Sequence, residues 1–176
     1  GLLSLSVVVL ISQTQRLPVR RAKFWLSRLR RRWSKALEYP AVRETICDAI
    51  DEVIAATGLR EYVIELGLTA DVGNAGGRLS SIQRQKLVIA RALMKDPDLL
   101  VVDEALGPLD FNARSQIIKN VCEFMSGRGV LRVLETPALA REFEDVIVMG
   151  SGRILEQGKS QALEQQDGPF KALLTD

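Results

Sequence analysis

Asp103 and Glu104 stand side by side at the end of a short apolar run, Leu99 to Val102. Carboxylates at the carboxyl end of a buried strand lie where open α/β sheets carry their functional groups. Their alternative role is structural, as strand-end acids that cap a neighbouring helix or meet an arginine. Ser80 and Gln83 form a second polar constellation. Their spacing fits a capping box, in which the serine oxygen accepts a backbone N–H and the glutamine reaches back. The structural reading of Ser80 to Gln83 is a helix start and nothing more. No histidine occurs in the chain, which excludes histidine-based triads and histidine-containing zinc sites. Cys47 and Cys122 suggest no disulfide framework and read as reduced core residues. The pattern Gly-x-x-x-x-Gly-Lys-[Ser/Thr], which cradles nucleotide phosphates with backbone N–H groups and a lysine, does not occur. Gly73-Asn-Ala-Gly-Gly-Arg78 is glycine-rich but has no lysine.

Periodicity supplies the elements that must position these residues. After Ser80, the residues Leu87, Ala90, Arg91 and Met94 fall at helical spacing, with Ile89 and Leu93 widening the stripe. Asp96-Pro97 ends that helix, because proline restricts the residue before it. Leu99 to Val102 reads as a strand buried on both faces of a parallel sheet. Val7 to Ser12 reads as another buried strand, with Gln13 following. Glu44 to Thr57 is a predicted helix with Ile46, Ile50, Val53 and Ile54 inward and Gly58 as its C-cap. Arg60 to Leu66, Asp110 to Met125 and Ala138 to Phe143 are further predicted helices, and Val130 to Leu134 a strand. Gly150 to Gly152 suits a tight turn between two strands, and short helices follow Gly158. The fold class is α/β.

The length of 176 residues suits one domain. Hydrophobic residues at 47% and charged residues at 26% are ordinary for a globular chain. The apolar start, Leu2 to Ile11, is too short to span a bilayer. Its charges follow rather than precede it, unlike those of a signal peptide. Net charge is only +2, yet residues 16–35 carry nine Lys and Arg and no acid. Here Ala22, Trp25, Leu26, Leu29, Trp33 and Leu37 keep helical spacing, flanked by Arg28, Arg30, Arg31, Arg32 and Lys35. This basic amphipathic helix has a functional reading as a contact for anionic lipid headgroups or for the cytoplasmic loops of a permease. The alternative is a solvated face whose tryptophans pack on the domain. Nucleic acid is not expected as a partner, since the basic character is confined to one segment.

The order and spacing of these motifs resemble the C-terminal part of an ABC transporter nucleotide-binding domain. Leu79-Ser80-Ser81-Ile82-Gln83 stands where the family has its Leu-Ser-Gly-Gly-Gln signature. Leu99 to Glu104 resembles the Walker B strand, and Gly107-Pro108-Leu109-Asp110 the D-loop. Leu10 to Pro18 looks like the Q-loop with Gln13 as its glutamine, and Val146 to Gly158 like the closing hairpin. Arg84-Gln85 leans toward exporter-like domains. The implied fold is a partial P-loop-type, three-layer domain spanning residues 1–176. Its helical subdomain with the basic insertion would occupy residues 19–78. The signature helix, Walker B strand, D-loop and C-terminal sheet would occupy 79–176. The P-loop lies upstream of the Q-loop in the family, so the sequence reads as truncated before it.

The resemblance implies a role for each residue. Asp103 would hold magnesium through water, Glu104 would polarise the water attacking ATP, and Gln13 would sense the γ-phosphate and the metal. Ser80, Ser81, Gln83 and Asp110 would serve in trans, facing nucleotide held by a second nucleotide-binding domain in a head-to-tail dimer. The helix dipole and free N–H groups favour the anion there. Permease domains would be the membrane partner, on the cytoplasmic face. Ile82 replaces a glycine and would crowd the nucleotide. Glu135 replaces the family's histidine and would repel phosphate by about 1–4 kcal/mol, depending on local dielectric. Two functions follow: an ATP-hydrolysing transporter domain that cannot act alone without a P-loop, or a degenerate domain serving as an interaction or regulatory partner. An ABC-type ATPase of DNA repair or chromosome organisation would need long heptad arms before Leu79, which are absent.

Overall fold

The computed structural model describes residues 5–11, 40–103 and 106–175. Gln13, Glu104 and the basic segment 16–35 lie outside the described residues. The chain divides into two compact units, one of residues 15–97 and one of residues 1–14 with 98–176. The division expected between residues 78 and 79 therefore falls inside the first unit. The helix that starts after Ser80 groups with the helices before it, because it packs its apolar side on them rather than leading a new layer.

The first unit contains α1 (Pro40–Thr57), α2 (Arg60–Leu66) and α3 (Ser81–Leu93). Helix α1 starts earlier than Glu44, with Pro40 in its first turn, where the missing N–H has no intrahelical partner to lose. Ile46, Val53 and Ile54 are buried as expected, and Ile50 is half-buried. Gly58 ends the helix at φ 64°. Its N–H donates to the Ala55 carbonyl at 3.2 Å, and the Leu59 N–H donates to the Ile54 carbonyl at 3.0 Å. That pair of bonds is a Schellman motif, sealed by the buried side chains of Leu59 and Ile54. Lys86 Nζ on α3 donates to the Gly58 carbonyl at 3.0 Å, a cation at the negative end of α1. Helix α3 buries Ile89, Ala90 and Leu93, while Arg91 and Met94 of the expected stripe are exposed. Cys47 is exposed rather than part of the core, since it lies on the outward side of α1.

The second unit is a five-stranded sheet in the order β2-β3-β1-β4-β5. The strands are β1 (Leu5–Ile11), β2 (Leu99–Val102), β3 (Gly129–Leu134), β4 (Asp145–Gly150) and β5 (Arg153–Lys159). Only β2 and β3 are parallel, from Leu99 opposite Gly129 to Val102 opposite Arg132. Strand β1 runs antiparallel to both neighbours, with Val9 opposite Arg132 on β3 and Val146 on β4. The sheet is thus mixed: β2 has the parallel neighbour expected, β4 and β5 form the hairpin expected, and β1 is antiparallel to both its neighbours. Burial on both faces of β2 is corrected. Leu100 and Val102 are buried, but Leu99 is 54% and Val101 59% exposed. The reason is position: β2 is the last strand in the sheet order, and its alternate residues face away from the core.

Helix α4 (Phe111–Phe124) buries Ile117, Ile118 and Val121. The short helix expected at Ala138 to Phe143 is a 3-10 helix, Pro137–Glu142, and buries Leu139 and Ala140. Ser151 at φ 50° and Gly152 at φ 73° make the β4–β5 turn, both left-handed as a two-residue type I′ hairpin requires. Helices α5 (Ser160–Gln165) and α6 (Pro169–Thr175) close the unit around the fully buried Phe170. No helix of the described residues is long and apolar enough to cross a membrane.

Candidate functional site

Ser80, Ser81 and Gln83 come together at the start of α3, and the capping box is complete. The Gln83 N–H donates to Ser80 Oγ at 3.1 Å, and the Ser80 N–H donates to Gln83 Oε1 at 2.8 Å. Ser80 Oγ acts here only as an acceptor, so its own O–H remains a donor for something else. A helix N-terminus presents four N–H groups without intrahelical partners. The box satisfies those of Ser80 and Gln83. Those of Ser81 and Ile82 make no hydrogen bond among the described residues. The loop leading in is closed on itself. Arg78 Nη1 donates to Asp71 Oδ2 at 2.6 Å, and Asp71 Oδ1 accepts the Gly73 N–H at 2.9 Å. Ser80 and Ser81 are exposed, and Ile82 is half-buried. Gln83 also lines an apolar cavity of about 340 Å³ inside the first unit, with Val53, Tyr62 and Leu87.

On the second unit, Asp103 is exposed at the carboxyl end of β2. Its carboxylate makes no hydrogen bond or ion pair among the described residues, and no group of three or more metal-ligating side chains forms there. A carboxylate without a partner among the described residues suits a hard cation that keeps most of its water. The chain then passes through Leu106, which is fully buried at φ 73°. A leucine in the left-handed region is strained, and it persists because surrounding contacts over-determine it. The Leu109 N–H donates to the Leu106 carbonyl at 3.1 Å, closing the turn. Asp110 Oδ1 accepts the Ala113 N–H at 2.9 Å and so N-caps α4. That capping role was not part of the sequence reading for Asp110.

Sequence reasoning also missed Arg114. Its Nη2 donates to the Gly107 carbonyl at 2.8 Å and the Leu109 carbonyl at 2.9 Å, while Nη1 donates to Thr136 Oγ1 at 2.9 Å. The available signal was its position in the first turn of α4, since helical side chains lean toward the N-terminus. Glu135, beside Thr136, is exposed. Cys122 on α4 is half-buried rather than part of the core, and it lies near the buried Arg132 of β3. Burial pushes the Cys122 thiol up to about 11, against the pull of the Arg132 charge. Burial pushes the Arg132 guanidinium down to about 10; the Cys122 thiolate opposes that shift, and the Arg114 charge adds to it.

A family model described as ABC transporter matches residues 12–107, more than half of the chain. The ATP-dependent lipid A-core flippase of Xylella fastidiosa is 33% identical over 139 residues, covering 78% of this chain and 24% of that protein. The exotoxin translocation ATP-binding protein PaxB of Pasteurella aerogenes is 37% identical over 127 residues, covering 69% of this chain and 18% of that protein. The chain thus spans about a quarter or less of the length of these curated relatives. A bacterial Atm1-family ABC exporter with ATP bound shares the fold, with a TM-score of 0.66 at 23% identity over 94% of this chain and 27% of that one.

Proposed function

The chain belongs to the ABC transporter family, and we propose that it is the stretch of an ATP-driven exporter's nucleotide-binding domain running from the Q-loop to the closing hairpin. The observation that carries this reading is the start of α3. A complete capping box holds Ser80 in place while the Ser81 and Ile82 N–H groups stay without acceptors among the described residues. A terminal phosphate presented by a second nucleotide-binding domain would meet those N–H groups, the Ser80 hydroxyl and the positive end of a thirteen-residue helix.

On the other unit, Asp103 would hold magnesium through water, with Gln13 as a further ligand. The ion would neutralise charge on the phosphate oxygens. Glu104 would orient and polarise the attacking water. Asp110 keeps one carboxylate oxygen for α4 and has the other for the facing domain. Permease domains at the cytoplasmic face of the membrane are the transport partner, and residues 16–35 would add contact with anionic lipid. The names of the relatives, a lipid A-core flippase and an exotoxin translocation protein, support export. Without a P-loop, these residues would not turn over ATP by themselves.

Ile82 in place of glycine, and an exposed glutamate at 135, favour a second reading. In it the domain binds and regulates without hydrolysing. One substitution separates the two. Glu104→Gln in the membrane-embedded transporter should abolish ATP turnover and retain nucleotide if the site hydrolyses. Unchanged turnover would assign hydrolysis elsewhere and leave this domain as the regulatory partner.

A further inference from the structure

We propose that Arg114 is a positioning residue that locks the loop Leu106–Asp110 to the segment Glu135–Thr136, so that the two move together during the hydrolysis assigned above. It rests on that assignment for the reaction, and on geometry for the lock. A single guanidinium spans both segments, with two bonds to loop carbonyls and one to the Thr136 hydroxyl, all between 2.8 and 2.9 Å. The fork is aimed by its Nη atoms alone. Its buried Nε finds no acceptor among the described residues, which is a cost that a side chain kept only for helix packing need not bear.

Each partner has a stretch that its own anchors leave to Arg114. The loop hangs from the strained, buried Leu106 at one end and from the Asp110 cap at the other. The carbonyls between those ends turn to Arg114. Thr136 opens the 3-10 segment whose far end is tied to α4 by Ser115 Oγ donating to Glu142 Oε1 at 2.6 Å and by Lys119 at 3.2 Å from Glu142 Oε2. Arg114 supplies the tie at the near end. Helix α4 therefore works as the shared base for two segments at the carboxyl ends of neighbouring parallel strands: one follows β2 and Asp103, the other follows β3. Lysine could not reproduce this arrangement, since one ammonium cannot present a planar fork to three acceptors.

The experiment uses the intact transporter in membranes, comparing Arg114→Ala, Arg114→Lys and Thr136→Val with wild type. Steady-state ATPase and amide hydrogen exchange are read on the same preparation. Arg114→Ala should lower kcat by about ten- to a hundredfold with KM for ATP within about twofold, as expected when aligned groups are displaced but binding is kept. It should speed exchange of both the Leu109 and Leu139 amides by roughly tenfold, while Leu134 in the core of β3 keeps its protection. Arg114→Lys should restore less than half of the lost kcat. Thr136→Val, which deletes only the hydroxyl, should reproduce part of the loss and add nothing to Arg114→Ala. A wild-type kcat in Arg114→Ala overturns the proposal. So does a lowered kcat with wild-type exchange at Leu109, or full rescue by lysine. If the wild-type transporter itself does not hydrolyse ATP, it is the assigned function that fails, and the lock stands or falls on the exchange of Leu109 and Leu139.

Discussion

At the start of α3 the hydrogen bonds that fix Ser80 and the loop before it are local: Ser80 with Gln83, Asp71 with Gly73 and Arg78. In the loop after β2 the fixing contacts come from further away. Leu106 is buried in the core, and Arg114 reaches to Thr136, 22 residues along the chain. The first region presents exposed serines, and N–H groups without acceptors among the described residues, on a frame bonded by near neighbours. The second presents carboxylates on a frame built by the sheet and α4 together. An anion-facing helix start needs only a defined backbone direction, which a capping box provides. A site that must align a carboxylate with a water needs its support shared between several elements.

The largest effect expected is on chemistry and falls in the second region. Glu104→Gln should lower ATP turnover in the intact transporter by at least about a hundredfold, the size of a lost general base. The corresponding change in the first region should be milder in kind. It would weaken capture of the facing nucleotide rather than remove the step. Equal losses from Glu104→Gln and Ser80→Ala would break the distinction between a catalytic and a positioning half. Next in size is stability. Leu106→Ala removes a fully buried side chain and should destabilise the second unit by about 2–5 kcal/mol in denaturant titration. Relief of the left-handed strain offsets none of this, since alanine at φ 73° is strained as well. Ser80→Ala should cost about 1 kcal/mol, the usual worth of an N-cap. A larger loss at Ser80 than at Leu106 would mean that the helix start, not the loop, depends on distant packing.

The same contrast explains what the sequence made legible. The capping box at Ser80, the Gly58 helix end and the Ser151-Gly152 turn depend on residues a few positions apart, so pattern alone finds them. The strand at Leu99 and its terminal Asp103 were legible as an apolar run ending in acid. That Leu99 and Val101 face outward was not, because a run of four apolar residues does not say which strands flank it. The antiparallel course of β1 and the grouping of α3 with α1 are likewise set by neighbours that periodicity does not name. Arg114 was missed for the same reason. Its three acceptors are two backbone carbonyls and a hydroxyl beyond the next strand, and no local spacing marks them.

The smallest expected effect is one of pH, and it probes the base of the second region. Burial holds the Cys122 thiol at about 11, against an ordinary value of 9.0. The folded chain therefore grips this proton more tightly than the unfolded chain. The stabilisation is complete below pH 9.0 and is lost as pH rises toward about 11. Arg132 works in the opposite sense. Its guanidinium, pushed down to about 10 from 12.5, loses its proton more readily when folded, so raising the pH through about 10 relieves the cost of burying the charge. Of this pair, the thiol alone dominates between pH 9 and 10. The thermal midpoint of wild type should fall there relative to Cys122→Ala, and the difference should keep widening until about pH 11, because Arg132 titrates in both proteins and the thiol in only one. Parallel profiles for the two proteins would show that burial does not hold the Cys122 thiol on α4. The helix would then be a looser base for Arg114 than the loop after β2 requires.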